Sequence, residues 1–352
     1  MALSDSPAAV RVTELCKITP PDSPTDSSLP LTFFDIYWLK FHPLELIFFY
    51  QLTTDSDSFS SDILPKLKQS LSLTLHHFIP FAGNLIWPSH SDKPFLLYSP
   101  GDGVSLTVAE SDADFHTLAG DSIREIPDSH NYVPELNVSE TEAATMSFQI
   151  TLFPNQGYCI GISSHHGIFD GKSIIMFIKA WAHICKNDNG SSALPPDLTP
   201  VIDRTLIQDH QGLESLYLNR WTSVASLPEA KFLIKEDGLG FVAEELTRLI
   251  KGLEKNKGGL DEARKTSEAF RKMDPTTTEV IGVAGSPRFG VYDIDFGWEK
   301  PIKVEVTSID RSTSISMAEI RDGNGGVELG VVLKKDEMVI FDSLFLNGLK
   351  HL

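Results

Sequence analysis

Apolar residues recur at steps of three and four at Leu64, Leu67, Leu71 and Leu75, which predicts an amphipathic helix over 61–75. Ile174, Ile178, Trp181 and Cys185 repeat that spacing and predict a second helix with one buried face. Short apolar runs between turn residues predict strands at 95–98, 105–108, 144–152 and 158–164, the last following a turn at 155–157. The aromatic-rich stretch 31–38 predicts a buried turn or strand end, after a polar Pro/Ser/Asp connection at 19–30. Residues 187–200 read as a loop closing the first half. Beyond it the pattern predicts a helix near 241–253, a polar run over 255–271, and strands at 302–309 and 327–333. Those strands flank a turn at Asp322-Gly323-Asn324-Gly325, and 338–346 reads as one more strand running into a short helix. Strands and helices mixed without a regular repeat point to an α/β fold.

Length and composition narrow the function classes. At 352 residues and 41% hydrophobic content, the chain can build one large domain or two modest ones. A formal charge of -18 without a Lys/Arg cluster argues against a nucleic-acid partner. The richest apolar run, 44–50, is short and contains Glu45, so no membrane span is expected. The N-terminus lacks a basic segment followed by an apolar one, and Cys16, Cys159 and Cys185 lack metal spacing. The expected location is cytoplasmic.

The chemistry concentrates in Ser163-Ser164-His165-His166-Gly167-Ile168-Phe169-Asp170-Gly171, between a predicted strand and a predicted helix. A histidine and an aspartate separated by three residues at a strand exit can divide the work of proton transfer and backbone anchoring. His166 is the candidate base. Asp170 either orients it or pairs with an arginine to fix the loop, and the spacing leaves both roles open. A metal site is disfavoured, because no H-E-x-x-H or cysteine-rich partner accompanies His165, His166 and Asp170. His76-His77 reads as a solvated helix end, and no G-x-S-x-G elbow offers a serine nucleophile. A second anchor, Asp295-Phe296-Gly297-Trp298-Glu299, reads either as a charged residue pinned at a crowded turn or as a bulged strand. Trp298 is a candidate lining of a ligand groove.

The ordered pair His166-x-x-x-Asp170 and Asp295-Phe296-Gly297-Trp298 resembles the plant BAHD acyltransferases, whose motifs are H-x-x-x-D and D-F-G-W-G. Leu29-Pro30-Leu31-Thr32-Phe33-Phe34-Asp35-Ile36, Pro80-Phe81-Ala82-Gly83-Asn84-Leu85, Asp203-Arg204-Thr205 and Gly285-Ser286-Pro287 extend the likeness. They are most similar to malonyltransferases acting on flavonoid and other phenolic glucosides. The resemblance implies two chloramphenicol-acetyltransferase-like α/β domains, here 1–200 and 201–352. It also implies malonyl-CoA as co-substrate, a phenolic glucoside acceptor, no permanently bound cofactor, no metal and a monomer. On this view His166 is the general base, Asp170 is structural, and Asp295, Phe296, Gly297 and Trp298 form a brace remote from the reacting atoms. Lys172 and Arg288 are the candidate partners of the malonyl carboxylate.

Two departures stand out. Glu299 replaces the final glycine of the second motif, which predicts a strained turn. The chain is also roughly a hundred residues short for the family, a loss placed between Lys235 and Gly240, and it lacks the family's internal D-x-R and Y-F-G-N elements. The second domain is therefore expected to be incomplete. That leaves two alternatives beside malonyl transfer: an inactive truncated paralogue or splice product, and an acyltransferase with another acyl-CoA or acceptor. A peptide-synthetase condensation domain or chloramphenicol acetyltransferase shares H-H-x-x-x-D-G, but the D-F-G-W segment argues against either.

Overall fold

A computed structural model describes residues 10–21, 25–52, 55–88, 93–187, 193–204, 281–312 and 314–350. They divide between two compact units. One draws on 1–31, 38–204 and 281–352; of the other, the residues described are 32–37. In that second unit α1 (Phe33–Tyr37) starts where the Thr32 amide and hydroxyl both donate to the Asp35 carboxylate, at 2.7 and 2.8 Å. The aromatic stretch therefore forms a helical turn.

The larger unit is organised by β3 (Leu44–Gln51), in which Ile47, Phe48, Phe49 and Tyr50 are all essentially inaccessible. A strand apolar at successive positions, rather than alternate ones, is covered on both faces. It lies in a six-stranded sheet ordered β1-β6-β8-β9-β3-β11, with β1 (Val10–Ile18), β6 (Val104–Ser111), β8 (Met146–Phe153), β9 (Gly157–Ser164) and β11 (Lys303–Val306). All neighbours are antiparallel except β6 and β8. Over one face lie α3 (Leu64–His77) and α6 (Gly171–Lys186). Trp181 of α6 donates its indole N–H to the Leu67 carbonyl and the Ser70 hydroxyl of α3. Against the other face, Ile47, Phe49 and Cys159 pack with Phe115, Leu118, Tyr132 and Phe153.

Four strands, β2 (Ser27–Pro30), β5 (Phe95–Tyr98), β4 (Asn84–Ile86) and β7 (Glu142–Ala144), form a separate antiparallel sheet in that order. A third sheet contains β10 (Gly282–Gly285), β12 (Ser314–Glu319) and β13 (Val327–Val331). Short helices α2 (Ser56–Ser58), α4 (Phe115–Leu118) and α5 (Ile126–His130) lie in connections, and α7 spans Lys335–Leu349. C-terminal residues complete the six-stranded sheet: β11 pairs with β3, and the buried Glu45 carboxylate of β3 meets Arg311 at 3.0 Å and His130 at 3.5 Å. Burial raises the Glu45 pKa, while Arg311 and His130 oppose that rise.

The predicted helices over 61–75 and around Ile174–Cys185 are present, the first preceded by a π-helical turn at Phe59–Ile63. Several other elements differ from expectation. The strand expected at 144–152 is two strands in different sheets, broken at Thr145, whose hydroxyl turns inward to donate to the Phe81 carbonyl. The strand expected over 302–309 ends at Val306 and becomes a 3-10 turn, Thr307–Arg311. Its place in the hairpin is taken by β12, paired antiparallel with β13 across a turn where Gly323 and Gly325 have φ of 69° and 83°. The strand expected at 338–346 is instead the interior of α7, started by Glu337 accepting the Lys334 amide. The readings at 235–240, 241–253 and 255–271 lie outside the described residues.

Close backbone approach explains Gly161 in the centre of β9. A Cβ there would lie 1.8 Å from the Tyr132 carbonyl oxygen, and β9 cannot yield without losing ladder hydrogen bonds on both sides. Gly161→Ala is expected to destabilise the protein by about 3 kcal/mol or more, at the top of the usual overpacking range. Urea unfolding would measure it, and a change under about 1 kcal/mol would show that the crossing chain is compliant.

Candidate active site

The strand β9 ends at Ser164, and the chain turns sharply through 165–170 before entering α6. Backbone bonds fix this turn. The His165 amide donates to the Thr145 carbonyl at 2.9 Å, and the His165 carbonyl accepts from Ile168 and Phe169 at 2.9 and 3.1 Å. His165 Nδ1 accepts the Gly167 amide at 3.2 Å, which places the neutral ring's proton on Nε2. His165 is thus a buried structural residue of the turn.

His166 faces the other way. The Trp38 ring stacks on its imidazole with centroids 4.2 Å apart and planes 8° from parallel, and Phe41 meets it edge-on at 5.2 Å. Its Nδ1 is buried without a hydrogen bond of normal geometry. Burial pushes the pKa of His166 down to about 4; nearby His42 adds to that, and the residue's own carbonyl and Asp170 oppose it. Burial likewise pushes His165 down to about 4. Both rings are neutral near pH 7. His42, beside Phe41, has a ring nitrogen 3.2 Å from the Pro43 carbonyl, and burial lowers its pKa too.

Asp170 is the N-cap of α6. Its carboxylate accepts the Ser173 amide and hydroxyl, both at 2.7 Å, while the Ser173 hydroxyl lies 2.9 Å from the Asp170 amide. This reciprocal capping box satisfies helix-end groups that would otherwise be orphaned. Of the two roles left open by spacing, the described geometry displays anchoring, accomplished through the helix rather than an arginine.

The second motif reaches the same helix from outside. Asp295 pairs with Lys186, in the last turn of α6, at 2.5 Å and accepts the Gly297 amide at 2.7 Å. Burial alone would raise the Asp295 pKa, but these hydrogen bonds prevail and hold it below the usual carboxylate value. Phe296 is fully buried, edge-on to Trp181 at 4.8 Å and to Tyr50 at 5.8 Å. Gly297 has φ 111°, the conformation that favours glycine. Trp298 is half-buried. Glu299 is exposed and outside the left-handed region, so the strain expected from replacing glycine there is absent.

Upstream, the Phe289 carbonyl accepts from Lys179 at 2.6 Å, and the Phe289 ring lies where a Cβ on Gly171 would touch it at 3.0 Å. Lys172 and Arg288, each beside one of those two residues, are exposed. The sequence reading did not identify Trp38, Phe41 and His42 as neighbours of His166, or Lys186 and Lys179 as partners of the second motif. Only the aromatic density of 31–38 hinted at the first group. Among the described residues, no cluster of His, Cys, Asp or Glu is arranged to hold a metal ion, and no helix is long and apolar enough to cross a membrane.

Comparison with known proteins adds a separate line of observation. The Transferase family matches residues 8–220 and 213–346, two stretches that meet at 213–220 rather than between Lys235 and Gly240. A malonyl-CoA:anthocyanidin 5-O-glucoside-6''-O-malonyltransferase of Arabidopsis thaliana is 36% identical, over 97% of this chain and 99% of its own. Phenolic glucoside malonyltransferase 1 of Arabidopsis thaliana is 34% identical over 100% of both chains. The first alignment spans 457 residues against a chain of 352, so this chain lacks a block of the relative's length. Among solved structures, vinorine synthase shares the fold at TM-score 0.68 and 20% identity, covering 94% of this chain and 96% of that one.

Capping and packing make different thermal predictions. Asp170→Ala should cost about 1 kcal/mol, the usual value of an N-cap, whereas Asp170→Asn should cost only a few tenths because an amide oxygen also caps. Phe296→Ala should cost about 3–5 kcal/mol through the cavity beside Trp181. Denaturant unfolding of the three variants checks that order, and equal losses for Asp170→Ala and Asp170→Asn would contradict the capping assignment.

Proposed function

This chain belongs to the BAHD acyltransferases of the Transferase family, and we propose that it moves a malonyl group from malonyl-CoA onto a sugar hydroxyl of a phenolic glucoside. Membership makes it an acyl-CoA-dependent acyltransferase acting on a small-molecule acceptor. The malonyl donor and glucoside acceptor are supported by the two malonyltransferases it matches over nearly its whole length. The observation that carries the mechanism is His166, a neutral imidazole held at a strand exit between two aromatic rings.

His166 accepts the acceptor hydroxyl proton as that oxygen attacks the thioester carbonyl. The tetrahedral adduct then collapses: the C–O bond remains, the C–S bond breaks, and the proton passes from His166 to the departing CoA sulfur. No metal and no acyl-enzyme enter this sequence. Asp170 contributes by fixing the turn that carries His166. Lys172 and Arg288 are the proposed partners of the malonyl carboxylate; the approach of Phe289 to Gly171 brings their segments to one edge.

His166→Ala is expected to lower malonyl transfer at least about a hundredfold with folding retained. Because the base is active when neutral and its pKa lies at about 4, kcat/KM should hold nearly level as pH falls from about 7 to about 5. Malonyl-CoA-dependent acylation of a phenolic glucoside tests both. Near-normal turnover by the variant, or an acid limb centred near the ordinary histidine value of about 6.5, would refute the assignment.

A second reading, that the shortened chain is a weak or inactive relative, is favoured by the absent block. A version carrying a family-length insert at 213–220 should then turn over substantially faster and unfold at higher temperature. Equal specific activities would show that the short chain retains every wall it needs.

A further inference from the structure

The segment Pro80-Phe81-Ala82-Gly83-Asn84-Leu85 lies beside the turn that carries His166, though distant from it in sequence. Its first residues belong to a 3-10 turn, Ile79–Ala82, and its last two open β4. Phe81 and Ala82 are buried. The Phe81 ring meets Phe169 of the 165–170 turn at 4.5 Å and Phe78 at 6.0 Å, and Phe78 meets Phe177 of α6 edge-on at 5.0 Å. An aromatic row thus runs from the turn to the helix that follows it.

Thr145, only 1% exposed, closes the same circuit through hydrogen bonds. It is the junction between two sheets: Ala144 before it pairs with Asn84 of β4, and Met146 after it pairs with Ser164 at the end of β9. The Thr145 hydroxyl donates to the Phe81 carbonyl, and the Thr145 carbonyl accepts the His165 amide at 2.9 Å. The His165 carbonyl in turn accepts the Phe169 amide at 3.1 Å. Phe81, Thr145, His165 and Phe169 therefore form a closed ring of contacts, and His166 is carried on the arc between its last two members.

We infer that Thr145, locked to Phe81, is a positioning residue for His166: its hydroxyl holds the strand junction that anchors the His165 amide, and so sets where the next imidazole projects. This role rests on His166 being the base of the proposed acyl transfer. A β-branched side chain has few rotamers, so the hydroxyl bond fixes the Thr145 backbone as well as its side chain. Without the hydroxyl the buried Phe81 carbonyl loses this donor, and the junction gains by shifting to find another. A base displaced by about 1 Å can lose on the order of a hundredfold in rate, so a small shift is enough to register.

Thr145→Val keeps the shape of the side chain and removes the hydroxyl, whereas Thr145→Ser keeps the hydroxyl. In the full chain, Thr145→Val should lower kcat for malonyl transfer at least about tenfold with both KM values within about twofold, and Thr145→Ser should return kcat to within about threefold of the parent. The His166 ring provides a readout that needs no turnover. Stacked face to face on Trp38, its Cε1 proton is shielded by the indole. That proton signal, assigned by its loss in His166→Gln, should move toward its unshielded position in Thr145→Val and return in Thr145→Ser. Should Thr145→Val fail to fold, Phe81→Leu opens the ring of contacts at its aromatic closure and should move the same signal. An unmoved His166 signal in the folded variant, a Thr145→Ser chain no better than Thr145→Val, or a change confined to KM would each overturn the inference. A parent chain that transfers no malonyl group would refute the reading of its function instead, and the His166 signal would still decide the role of Thr145.

Discussion

The geometry around His166 depends on α6 being gripped along its length by segments distant in sequence. Asp170 caps its first turn, and Lys186 in its last turn is paired with Asp295. Between those ends Lys179 is tied to the Phe289 carbonyl, and Phe296 packs on Trp181. The second motif therefore acts on the helix that follows the first. A surface ion pair such as Lys186–Asp295 contributes little energy alone. Here it fixes the position of a buried aromatic, and burial contributes the larger share. Since the turn bearing His166 is joined directly to the capped end of α6, a shift of the helix would shift the imidazole.

The sheet supplies the other half of the constraint. β9 is buried along its length and bonded on both sides, to β3 and β8, so Ser164 has little freedom. The chain then presents His165 inward and His166 toward Trp38 and Phe41. Excluding water from both rings disfavours their charged forms, and among the described residues no carboxylate bonds directly to the His166 ring. As the proposed base, His166 is intrinsically weaker than an imidazole paired with an acid. In compensation it is ready to act without first losing a proton, and its orientation comes from aromatic packing and backbone geometry.

How much of this was legible in the sequence follows from the range of the interactions. α3 and α6 are amphipathic, and their 3.6-residue period is written locally, as are β5, β6 and β9. β3 is hard to read as a strand because one covered on both faces shows no alternation, and six apolar residues among the seven of 44–50 invite comparison with a membrane segment instead. α7 resembles a strand for a related reason: apolar residues around most of a helix erase the period that distinguishes the two. The His166–Asp170 spacing was visible, yet the Asp170 role became plain only through Ser173, whose hydroxyl and amide close the capping box. Trp38, Lys179 and Lys186 could not be assigned from spacing, because their partners are brought to them by the fold.

The missing block acts selectively on this arrangement. Everything that the described geometry uses to hold His166 lies in 38–187 and 281–300, on either side of the place where the family match is interrupted. The absence of that block leaves His166, its helix cap and the distant brace in place. Motif residues bond to one another across the interruption, so their retention does not depend on what the missing block would have contributed.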